Sequence, residues 1–118
     1  MKKYLKINLG FINHDVIVTR SKKAYTKLTK LDVPEGVTGL NYLKDRPNKS
    51  KQNIVYIAKE VKDLELFFTG VHEATHVVDD VMGIFGFKDR EVRAYLQEWI
   101  SAFFYFDSVS LIKDNNES

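Results

Sequence analysis

Two histidines four residues apart, with a glutamate beside the first, carry the strongest chemical signal in the chain: His72-Glu73-Ala74-Thr75-His76. On a helix, the i, i+4 spacing puts both imidazoles on one face. There each can offer a nitrogen to a single ion at about 2.0–2.1 Å. Glu73, one position on, suits a different task, taking the proton of a zinc-bound water rather than touching the ion. The combination points to zinc-dependent hydrolysis, with His72 and His76 as ligands of Zn2+ and Glu73 as general base. The competing reading is a pair of satisfied histidines on an exposed helix face.

A catalytic zinc site takes three protein ligands and leaves one position open. The chain has no cysteine, so the third ligand is sought among the acids Asp79, Asp80, Glu91 and Glu98. Glu91 is preferred. It opens a second helix that a short loop folds back on the first, and Ala94 is small enough to let the two approach. The alternative for Glu91 is an ordinary acid in a first turn, favoured by the helix dipole. Glu98 is the next candidate, two turns further along the same face. His14 falls in an amino-terminal hairpin and is set aside. Asp79 and Asp80, three and four residues after His76, can accept a hydrogen bond from a ligand imidazole and fix its tautomer. Each can equally be a solvated acid near the helix end.

The elements that must position these residues follow from periodicity. Tyr4 to Leu9 and Asp15 to Thr19 read as strands joined by a hairpin turn, and Lys22 to Leu31 as a short helix. Pro34, Gly36 and Gly39 punctuate a loop. Leu40 to Leu43 and Asn53 to Ala58 read as two more strands around a polar loop. Val61 to Met82 reads as a helix, with Leu64, Phe67, Phe68, Val71, Thr75, Val78 and Met82 near one side. Gly70 either permits a close approach or marks a break, and Gly83 and Gly86 end the helix. Asp89 caps a second helix over Arg90 to Phe106, whose core stripe is Val92, Leu96, Trp99, Ile100 and Phe103. The expectation is one α+β domain over residues 1–118: a small, mostly antiparallel sheet packed against the metal-site helix and a second, C-terminal helix. The polar tail is expected to fray from about residue 107.

With these residues in place, the chain resembles the zincin metallopeptidases in their gluzincin-like arrangement. The matching positions are His72, Glu73 and His76, followed by Glu91 in Glu91-Val92-Arg93-Ala94-Tyr95. The stretch from His72 to Asp80 is similar to the active-site helix of the anthrax-lethal-factor-like peptidases. The overall impression is similar to small phage and prophage proteins carrying such a helix. The resemblance covers about residues 53 to 106. It implies a minimal zincin-like fold that cuts a peptide bond in a specific protein partner, with a sheet-edge strand binding the substrate backbone. Asn53 to Ala58 would be that strand. The chain departs from the family in having no second lobe and no obvious oxyanion stabiliser. Tyr95, a face-neighbour of Glu91, is read as a packing residue.

Charge adds one more feature. Residues 1–59 hold 13 Lys and Arg against 4 Asp and Glu, and residues 60–118 hold 5 against 12. The halves are expected to attract each other, and nucleic acid is not the expected partner, because few aromatic or Gly-rich signals accompany the basic residues. A basic start soon broken by Asn8, Asn13, His14 and Asp15 does not read as a signal peptide, and no apolar run approaches the roughly 20 residues of a spanning helix. A cytoplasmic protein is expected (host cytoplasm for a phage-encoded one). Two other readings stand beside the peptidase. One is a zincin-fold protein whose metal is structural or vestigial and which serves phage assembly or host interaction. The other is a nucleic-acid-associated protein using the basic half.

Overall fold

β-branched and aromatic residues cluster in the segments that form the sheet. In the structure, a computed structural model describing residues 3–47 and 49–111, these are β1 (Tyr4–Leu9), β2 (His14–Thr19), β3 (Gly39–Lys44) and β4 (Gln52–Ile57). The order across the sheet is β1-β2-β4-β3. β1 pairs antiparallel with β2, and β3 with β4, but β2 and β4 run parallel. The sheet is therefore mixed, and mostly antiparallel in that two of its three pairings are antiparallel. The two most apolar strands take the centre, where both faces are covered, and every residue of β4 is buried.

Alternation along the strands assigns the two faces. Tyr56 meets Tyr25 of α1 (Lys22–Thr29), with ring centroids 6.0 Å apart. Asn53, three residues earlier and so on the opposite face, meets Asp80 of α2 (Asp63–Phe85). α3 (Arg90–Ala102) runs back along α2: Arg93 reaches Asp79 and Gln97 reaches Val71. α1 thus covers one face, and α2 with α3 lies on the other. Among the described residues no helix is long and apolar enough to cross a membrane.

The helices differ from expectation in instructive ways. α2 runs through Gly83 and stops at Gly86, whose left-handed φ of 68° lets its N–H bond to the Met82 carbonyl. The stripe it buries is Leu66, Gly70, Glu73, Ala74, Val77, Val78, Val81 and Met82, while Leu64, Phe67 and Phe68 are exposed. Gly70 sits under the continuation of α3, where an added Cβ would lie 3.4 Å from Phe104 Cβ. α3 ends at Ala102 and passes into a π-helical turn over Phe103–Asp107. Trp99, expected in the core, is 37% exposed. The chain does not loosen at Asp107: Ser108 and Leu111 are fully buried, and the tail beyond residue 111 lies outside the described residues.

Two buried polar groups explain much of this order. Arg20 is 1% exposed and donates to the carbonyls of Ile57, Ala58 and Val61, and from Nη1 to Ser108 Oγ. It joins the end of β4, the loop into α2 and the carboxyl-terminal turn. Burial lowers its pKa to about 10, so the guanidinium stays charged at neutral pH among these carbonyl dipoles. On the α2 side, Asn53 Nδ2 donates to both Asn41 Oδ1 and Asp80 Oδ2, and Asn41 Nδ2 donates to the same Asp80 oxygen. The Asn53 carbonyl oxygen is left for His14 Nε2, 2.7 Å away, which must therefore be the proton-bearing nitrogen.

His14 gives the fold a pH dependence. Burial lowers its pKa from 6.5, against raising contributions from the Asn53 hydrogen bond, Asp15 and Asp80; Arg46 adds to the lowering. The unfolded chain therefore binds this proton more readily than the folded one. The stability contributed by neutral His14 is complete above about pH 6.5 and is lost as pH falls below it. His14→Gln, which keeps a donor for Asn53, should flatten this loss. Urea midpoints of parent and variant at pH 7.5 and 5.0 measure it. A gap between the two proteins that stays constant with pH would refute the assignment.

Candidate active site

A helix that buries the 66-70-73-77 stripe must turn the positions next to it outward. His72 and His76 are exposed, and Glu73, 100° further round, points in. The imidazoles stand nearly perpendicular, at 86°, with ring centroids 4.8 Å apart. Their Nε2 atoms lie 3.2 Å from each other. As a hydrogen bond, this contact needs a proton on one Nε2 and none on the other. It is also close to the separation of about 3.3 Å between two nitrogens bound to one tetrahedral zinc. The donor set and its spacing fit two of the positions around such an ion.

Glu73 occupies a slot that the neighbouring strand provides. It is 4% exposed, and its Oε1 has no hydrogen-bond partner among the described residues. The opposing residue is Gly39, the first of β3. A Cβ there would stand 2.6 Å from Glu73 Oε2 and 3.1 Å from its Cδ and Cγ. The carboxyl thus takes the space of a missing side chain. Burial raises its pKa, since desolvation disfavours the charged form, and the nearby His72 and His76 oppose the shift. Tyr25 is raised too, first by its own burial and then by Glu73 and Tyr42.

The other expected site residues are engaged elsewhere. Asp79 pairs with Arg93, and Asp80 accepts from Asn41 and Asn53, so the hydrogen bonds of both carboxylates lead away from the imidazoles. Asp80 ties α2 to β3 and β4 one turn beyond His76. Glu91 is exposed in the first turn of α3, its N–H bonded to the Asp89 cap. Glu98 is exposed as well, and Tyr95 is 65% exposed against Trp99 rather than packed. Among the described residues no three His, Cys, Asp or Glu side chains gather as a metal cluster, so Glu91 is not brought to the histidine pair.

Two contributors escaped the sequence reading. Gly39 read as loop punctuation, although it is the strand residue that admits Glu73. Gln97 clamps α3 to α2 beside the site: its Nε2 donates to the Val71 carbonyl, and Thr75 Oγ1 lies 3.4 Å from its Oε1. The strand nearest the site also differs from expectation. β4 is central, and the edge beside α2 is β3. Compared with family models, with curated proteins and with solved structures, the chain matches none.

The Gly39 slot makes a direct prediction. Gly39→Ala should push the Glu73 carboxyl aside and cost about 1–3 kcal/mol, as overpacking does. The loss should be largely relieved in Gly39→Ala/Glu73→Ala, because the clash is with that side chain. Denaturant unfolding of the four proteins of this cycle provides the measurement. Additive single-variant effects would show that the two residues do not compete for one space.

Proposed function

We propose that the chain is a zinc-dependent hydrolase of peptide bonds in a protein partner, with His72 and His76 holding the ion and Glu73 managing the proton. One observation carries the reading. Two imidazole nitrogens converge at 3.2 Å beside a buried carboxyl that has an unpartnered oxygen. Burying a carboxyl without a partner is costly for folding, and a proton-transfer role accounts for keeping it there. Zinc, when bound, supplies Lewis-acid polarisation of the scissile carbonyl and a lowered pKa for water.

The protein's own groups do the rest. His72 and His76 present their Nε2 atoms from one helix face. Glu73 accepts a proton from the attacking water and passes it to the departing amine, and Gly39 keeps its carboxyl in place. The edge of β3 is suited to align an extended peptide by backbone hydrogen bonds, because among the described residues β3 pairs with β4 alone. Glu91 remains our choice for a third ligand, on the helix that runs back along α2. Reaching the pair requires its side chain, or the first turn of α3, to move.

Three variants test this reading by metal content and peptide hydrolysis. His76→Ala should weaken zinc binding by at least about 10–100-fold, since losses next to a ligand already cost that much. Glu73→Gln should keep zinc and lose hydrolysis. Glu91→Ala should weaken zinc less than His76→Ala does. Unchanged zinc affinity in His76→Ala would end the metal reading. Zinc bound by the parent with no peptide cut would leave a structural metal site.

A further inference from the structure

On the face of the sheet opposite Glu73, the basic half of the chain forms a concavity of about 550 Å³. Five lysines line it: Lys3 before β1, Lys23, Lys27 and Lys30 on or just after α1, and Lys44 at the end of β3. Between them lies an apolar wall of Tyr4, Ala24 and Leu28. Register confirms the common side: Tyr4 pairs with Thr19, which pairs with Tyr56, and Lys44 lies four residues from Leu40, which also pairs with Tyr56.

The ion pairs among the described residues, Asp15–Arg46 and Asp79–Arg93, each fall within one half. Lys22, Lys23 and Lys27 meet no described carboxylate at ion-pair distance. Some of the lysines have structural work. Lys44 Nζ donates to the Leu28 carbonyl, and Lys27 sits in the last turn, where the dipole favours a cation; Lys30 closes α1 through its backbone N–H, not its charge. Lys22 and Lys23 have the reverse placement: they occupy a first turn without any acid, where the dipole disfavours them. Of these two, Lys23 lines the concavity, where a negative charge would offset its cost.

The geometry points to a binding site for a nucleotide-sized phosphate ester, its phosphates on the lysines and its aromatic body against Tyr4 and Leu28. The volume lies in the range of small-ligand sites. Lysines without arginine suit a phosphate chain, which needs point charges rather than a planar fork. Tyr4, 42% exposed, offers a ring on which a base can stack.

The test is calorimetric titration of the full chain with ATP at physiological salt. EDTA is included, so that no ion at His72 and His76 bridges to the triphosphate. Saturable one-to-one binding is expected. Lys23→Gln/Lys27→Gln should weaken it at least about tenfold, the loss for removing one or two charge-assisted hydrogen bonds, while unfolding and zinc content stay as in the parent. Tyr4→Ala should weaken ATP but leave inorganic tripolyphosphate unchanged. The proposal is overturned by non-saturable binding, by variants that bind like the parent, or by a Tyr4→Ala effect equal for both probes. It is also overturned if a single-stranded oligonucleotide binds more tightly than ATP with a steep salt dependence, which would make the concavity part of a nucleic-acid groove.

Discussion

The site depends on a single rotational constraint: α2 can bury only one stripe. The stripe it buries contains Glu73, and each residue is turned 100° from the last. Once Glu73 faces the sheet with Leu66, Gly70, Ala74, Val77 and Val81, His72 and His76 must face out together. The face that carries the two histidines and the burial of the carboxyl are therefore fixed by the same packing decision. A carboxyl would normally resist that burial. Here it is possible because β3 begins with a residue that has no side chain.

Polar groups, not only apolar ones, hold α2 at this rotation. Asp80 accepts from Asn41 on the edge strand and Asn53 on the central one, and Asn53 in turn engages His14 on β2. Sliding or rolling α2 would leave these groups unpaired, at about 1–3 kcal/mol each. At the other end, Arg20 joins the start of α2 to the last described turn through backbone carbonyls and Ser108. The helix carrying the histidines is thus secured at both ends, as a preorganised site requires.

The two faces of the sheet have been given different chemistry. The α2 face carries the histidines, the buried carboxyl and a network of amides. The α1 face carries lysines around an apolar floor. The connection that makes β2 and β4 parallel also produces this separation, since it lifts α1 across one side of the sheet before the chain returns through β3. A plain antiparallel meander would not have needed that helix.

The sequence alone determined the pairing of His72 with His76, because i, i+4 geometry is local to any helix. It also determined the Asp89 cap and the position of all four strands to within one or two residues, since caps and β-branched runs act through neighbouring atoms. Tertiary structure decided which way α2 turned. Apolar periodicity favoured a stripe with Leu64, Phe67 and Phe68, whereas the buried stripe includes Gly70 and Glu73, which no hydrophobic count selects. It decided that β3, not β4, forms the edge beside the site, because strand order depends on contacts between residues far apart in the chain. It also set the partners that spacing could not name, Arg93 for Asp79 and the two asparagines for Asp80, and left Glu91 exposed. Spacing along a chain fixes which side chains share a helix face. Only the packing of elements against one another fixes what that face meets.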